Sequence, residues 1–106
     1  MLYEAMRVIA KNSLVAFWAR HPDGKASLLH WYEVTSRAAD WRSMSDVQKA
    51  FPKAKVLSAE RVRFEIAHNT FRLIVAFNFR AQIAFIKFIG SHAEYDKVDA
   101  LTVSQF

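Results

Sequence analysis

Residues 61–89 read RVRFEIAHNTFRLIVAFNFRAQIAFIKFI, and this stretch decides the fold. Val62, Phe64 and Ile66 alternate with Arg61, Arg63 and Glu65, the period of two that marks a half-buried strand. His68 and Asn69 then supply a tight turn. After it, Phe71, Leu73, Val75, Phe77 and Phe79 share one face, and Arg72, Ile74, Ala76 and Asn78 share the other. Arg80, Ala81 and Gln82 turn the chain into a third run, Ile83 to Ile89. The expectation is an antiparallel meander with one face covered and the other open to a ligand.

The segments before this meander follow a different period. Arg7 to Ala10 reads as a short strand. Asn12 or Ser13 is the expected N-cap of a helix that buries Leu14, Phe17 and Trp18 and stops at His21-Pro22, with Asp23-Gly24 as a turn. From Lys25, the residues Leu28, Trp31 or Tyr32, Thr35 and Ala38 recur at helical spacing and predict a packing helix. Ser45 and Gln48 have capping-box spacing for a short turn through Val47, Ala50 and Phe51 that Pro52 closes. A further short strand is expected around Lys55 to Leu57, and a short helix or extended cap from Tyr95 to Val103. Helices first and strands afterwards predict an α+β fold, with N-terminal helices packed on one face of the antiparallel meander. Residues 1–5 precede a second methionine, Met6, and read as an alternative start or a tag remnant.

A chain of 106 residues is long enough for one core and too short for two, so a single domain over residues 1–106 is expected. Gly24 and Gly90 are isolated, which leaves no Gly-rich phosphate loop. With no cysteine and no leader-like pattern in the first residues, the expected compartment is a reducing cytoplasm. The apolar run from Leu73 to Phe79 is interrupted by Asn78 and is far short of a bilayer span, which argues against a membrane role. His21, His30, His68 and His92 fall in separate elements without metal-ligand spacing, so neither a metal nor an organic cofactor is expected. A formal charge of +5 suits a phosphate-rich partner or an acidic protein surface.

The residues able to do chemistry gather late in the chain. Arg72 and Lys87 each interrupt apolar residues in what should be central strands, where an unpaired charge is expensive, and this favours a functional role. Arg61 and Arg63 on the neighbouring strand, with Arg80 in the turn, are candidates for binding RNA. Arg61 and Arg63 read equally as a solvated face that discourages edge pairing. Directly after the third run comes Ser91-His92-Ala93-Glu94-Tyr95-Asp96. It adds an imidazole and a phenol to the basic face. Those groups can polarise a 2′-hydroxyl, neutralise a phosphate and protonate a leaving oxygen. His92, Tyr95, Arg72 and Lys87 are the expected catalytic set, with Glu94 and Asp96 in support and Asn69 shaping the turn. His21, His30 and His68 read as structural, and Trp18, Trp31 and Trp41 as core.

In order and spacing, several pieces of the chain resemble the HigB-type toxins of bacterial toxin-antitoxin systems, part of the RelE-like group of RNA endonucleases. They are His21-Pro22, Trp31-Tyr32, Trp41, Phe51-Pro52, Asn69 with Phe71-Arg72, and the segment Ser91 to Asp96. The resemblance runs from Met6 over nearly the whole chain, and the closing segment is its distinctive part. Ser91 stands where the family usually has Thr, a change that keeps the hydroxyl. The resemblance implies a RelE-like fold and a toxin that cleaves messenger RNA, in many relatives on the translating ribosome, by 2′-oxygen attack without a cofactor. It also implies a HigA-like, helix-turn-helix antitoxin, through which operator DNA would be bound. Two other readings stay open: a non-catalytic toxin that blocks DNA gyrase on a ParE-like scaffold, and a plain nucleic-acid-binding module.

Overall fold

A computed structural model describes residues 5–106, so the alternative-start reading lies outside the described residues except at Ala5. Five strands, β1 (Arg7–Ile9), β2 (Lys55–Val56), β3 (Arg61–Ile66), β4 (Phe71–Asn78) and β5 (Ile83–Ser91), form one sheet in the order β1-β5-β4-β3-β2. Strands β3 to β5 are the predicted meander and β2 the further short strand expected beside it, but β1 runs parallel to β5, pairing Arg7 with Ile83 and Ile9 with Phe85. The sheet is therefore mixed and not wholly antiparallel. A strand separated from its neighbour by the whole helical half escapes the hairpin constraint that forces antiparallel pairing.

Helices α1 (Lys11–Arg20) and α2 (Lys25–Ser36) flank a short 3₁₀ turn at Pro22–Gly24, and α3 (Met44–Ala50) precedes β2. Together they cover the face that carries Val62, Phe64, Leu73, Val75 and Phe77. Edge-to-face ring pairs join the layers: Phe17 with Phe71 at 5.1 Å, Trp31 with Phe64 at 5.5 Å and Trp41 with Phe77 at 5.9 Å. Each large apolar side chain buried here contributes about 1.5–3 kcal/mol. Leu14 and Phe17 are buried as predicted, whereas Trp18 is half-buried and Ala38 lies past the end of α2.

Two caps differ from expectation. Helix α1 starts after Ala10 with no side-chain cap, so Asn12 and Ser13 sit inside its first turn. The capping box of α3 is Ser43 with Asp46, not Ser45 with Gln48. Both pairs share the spacing, and Ser43 prevails because its extended backbone lets Asp46 accept from the Arg42 and Ser43 amides at 2.8 and 3.3 Å.

The second face of the sheet is not open along its length. Strand β5 carries a bulge at Lys87: Phe88 faces Ile74 while Ile86 faces Val75, leaving Lys87 without an opposite residue. The bulge reverses the alternation, so Phe88 joins Ile74 and Ala76 on the face away from the helices, and all three are buried. The C-terminal segment crosses this face. The Arg61 guanidinium donates to the carbonyls of Ala100 and Val103 at 3.1 and 2.7 Å. Gln105 completes the attachment along β5, its amide donating to the Lys87 carbonyl at 2.8 Å and its side-chain oxygen accepting from the Ile89 amide at 2.9 Å. What remains accessible is the end of this face nearest the β3-β4 turn.

Candidate active site

Register brings the site together at that end. Phe71 lies opposite Ser91 and Arg72 opposite Gly90, so the start of β4 meets the point where β5 becomes the short helix α4 (His92–Tyr95). A capping box turns the chain there: the Ser91 hydroxyl accepts from the Glu94 amide at 3.1 Å, and the Glu94 carboxylate accepts from the Ser91 amide at 2.8 Å. The Ser-x-x-Glu spacing of residues 91–94 is legible in the sequence and announces this helix start.

Three residues apart on one turn, His92 and Tyr95 face the basic strands. The Tyr95 ring packs against Phe88 at 6.2 Å, and the guanidiniums of Arg72 and Arg63 stand 4.8 and 5.9 Å from its centroid. Arg72 is held at two points: its Nε donates to Asn69 Oδ1 at 3.1 Å, and its Nη2 lies 2.8 Å from His92 Nε2. A guanidinium can only donate, so this contact makes His92 Nε2 an acceptor and assigns the imidazole proton to Nδ1. Nδ1 lies 3.4 Å from Asp96 Oδ2. The His92 side chain is 49% exposed, so the lone pair it offers to Arg72 is within reach of a ligand. Asn69 adopts a left-handed backbone, φ 69°, in the turn that follows β3. It sits in the turn, and its side-chain oxygen also holds Arg72, which the sequence did not indicate.

Lys87, Arg80 and Arg61 lie elsewhere. Lys87 is three residues from Gly90 along β5, roughly 10 Å at strand rise. Its ammonium sits 5.5 Å from the centroid of the Phe85 ring, towards the far end of the strand. The bulge gives it a half-exposed position, which removes the expected penalty of a charge in a central strand. Arg80 is in the β4-β5 turn, at the end of the sheet opposite His92. Arg61 spends its guanidinium on the C-terminal carbonyls and is a tether. Arg63 stays with the cluster, its Nε buried and without a partner.

Among the described residues no group of His, Asp and Glu side chains could hold a metal ion, and no helix is long and apolar enough to cross a membrane. A family model described as the HigB toxin, the RelE-like toxic component of a toxin-antitoxin system, matches residues 24–98. The chain belongs to this family. The match takes in α2 through α4, and with them Asn69, Arg72, His92 and Tyr95, together with the α+β layers of the RelE-like fold. A cognate antitoxin follows from membership as the partner. A search among individual curated proteins gives no match.

Two features keep the HigB-family helix α4 in position, and each gives an expected result. The Ser91 amide, with the Ser91 side chain and nearby His21 and Lys97 acting in the same direction, holds the Glu94 carboxyl below its ordinary value against the opposing effect of burial. A carboxyl whose pKa is lower folded than unfolded stabilises the fold above its unfolded value, about 4.3. That contribution disappears as pH falls through the folded value. Thermal melts of wild type and Glu94→Gln should therefore converge on acidification, the wild type losing its advantage as the pH falls below the unfolded carboxyl value and through the lower folded one. Gly90 is the second feature: a methyl there would lie 2.8 Å from Phe88 Cζ and 3.2 Å from Glu94 Oε1. Phe88 is buried and cannot swing aside. Gly90→Ala is expected to cost about 1–3 kcal/mol in denaturant unfolding.

Proposed function

We propose that this HigB-family chain is a metal-independent endoribonuclease that cleaves messenger RNA, engaged with the translating ribosome. The observation that carries the reading is the meeting of Arg72, Arg63, His92 and Tyr95 at one accessible end of the sheet. An inhibitor acting by contact alone has no need of an imidazole whose lone pair accepts from a guanidinium beside a phenol.

In the proposed step the RNA 2′-oxygen attacks the adjacent phosphorus. The phosphorus–O2′ bond forms as the phosphorus–O5′ bond breaks, leaving a 2′,3′-cyclic phosphate and a 5′-hydroxyl. Phosphate binding draws Arg72 from His92, and Nε2 is then free to take the 2′-hydroxyl proton. Arg72, aimed by Asn69, and Arg63 neutralise charge on the non-bridging oxygens. The Tyr95 hydroxyl donates to the leaving 5′-oxygen, and its ring supports both guanidiniums. Arg63 takes the part expected of Lys87.

Primer-extension mapping of a defined message in a translating extract tests this, with and without a block to translation. Cuts that require translation support the proposal. Absence of cuts under every condition moves the reading to gyrase inhibition or plain nucleic-acid binding.

A further inference from the structure

The helix side of the molecule carries a concavity, on the face of the sheet opposite the one that bears Tyr95. It is a groove of about 370 Å³ between α2, the Phe51–Ala54 turn and the outer edge of β3, walled by Trp31, Phe51, Pro52, Phe64 and Ile66. The sheet edge inside it is unfinished. β2 pairs Lys55 with Arg63, and in the same register Lys53 would face Glu65. The turn at Pro52-Lys53, closed by the Ala54 amide on the Phe51 carbonyl at 2.9 Å, carries the chain away instead.

The Arg61 carbonyl accepts from the Leu57 amide at 2.8 Å on this edge, and the Ala67 amide donates to Ser27 Oγ at 3.1 Å. The odd-numbered residues of β3 therefore turn their backbone groups outward. The amide and carbonyl of Glu65 face the groove between these two satisfied positions, and no described residue pairs with them. Trp31, in the groove wall, keeps its indole N–H buried without a partner. A donor and acceptor on a strand edge beside an apolar pocket recognise extended polypeptide. Lys53 is exposed at the groove's rim, while the side chains of Lys55, which lies opposite Arg63, and of Glu65 belong to the Arg61 and Arg63 face by alternation.

We infer that this groove receives an extended segment of the cognate antitoxin. One residue of that segment bridges Glu65 as an added strand, an adjacent apolar side chain fills the pocket, and an acidic neighbour meets Lys53. The inference rests on membership of the toxin-antitoxin family and is independent of the nuclease chemistry at His92. It places an antitoxin contact away from the catalytic cluster, so that partner and RNA surfaces are separable.

The test compares amide hydrogen exchange of the chain alone and in complex with the full-length cognate antitoxin, and measures affinity for two surface variants. Ala50 is exposed at the groove mouth, so Ala50→Trp fills the groove without disturbing the core, and Lys53→Glu reverses the rim charge. Protection of the Glu65 amide in the complex is expected, with affinity weakened by about tenfold or more in each variant. Cleavage by both variants should equal wild type. Protection confined to residues 91–96 with unchanged affinities would overturn the inference. So would Glu65 protection in the chain alone that depends on its concentration, which would make a second copy the occupant. A wild-type chain that binds no antitoxin would also overturn it by removing the partner. Loss of cleavage by wild type without antitoxin bears on the nuclease proposal and not on the groove.

Discussion

His92→Ala is expected to slow translation-dependent cleavage by about a hundredfold to ten-thousandfold, the usual cost of losing a positioned proton-transfer group. The side chain is half exposed and its polar contacts are with Arg72 and Asp96, so the fold should survive its removal. Arg72 keeps its bond to Asn69 in the variant. Phosphate neutralisation therefore persists, and the loss isolates proton transfer. Single-turnover mapping of cuts, with a circular dichroism melt as control, checks this. Undiminished cleavage by a folded His92→Ala chain would remove His92 from the mechanism and leave Tyr95 as the candidate.

Arg72→Ala is expected to cost about a hundredfold to a thousandfold, comparable to deleting one preorganised donor to a developing oxyanion. Arg72→Lys should recover little of it. An ammonium cannot hold Asn69 through one nitrogen while presenting two others to a phosphate and to His92. The effect should fall on the cleavage rate more than on binding, because Arg63 remains to attract RNA and charge accumulates on the phosphate as the reaction proceeds. Since Arg72 and His92 touch, the double variant should lose much less than the product of the single losses. Equal and additive losses would mean that the two groups act at separate steps.

Much of this site was legible because a strand alternates strictly. The positions of Arg63 and Arg72 on one face follow from the period of two in Arg61 to Ile66 and Phe71 to Asn78, and register then had to place them together. The helix that presents His92 and Tyr95 was also within reach, since Ser91 and Glu94 carry the capping spacing. The roles of Lys87 and Arg61 were not. A bulge belongs to a pair of strands, and nothing within Ile83 to Ile89 alone says which residue will be left without an opposite. The C-terminal segment lacks any period, so its path across the sheet, and the capture of Arg61 by its carbonyls, could not be read from spacing.

The sequence by itself determined the α+β class, the meander, the family resemblance and the pairing of an imidazole with a phenol near basic strands. Short-range periodicity and capping encode these, and both are local properties of the chain. Only the tertiary structure decided which cations share the site, that Asn69 holds Arg72, that the tail crosses the second face, and that the edge of β3 is left open beside an apolar groove. Those outcomes depend on register, on one bulge and on where a turn carries the chain away from its neighbour, and each arises only when distant segments meet.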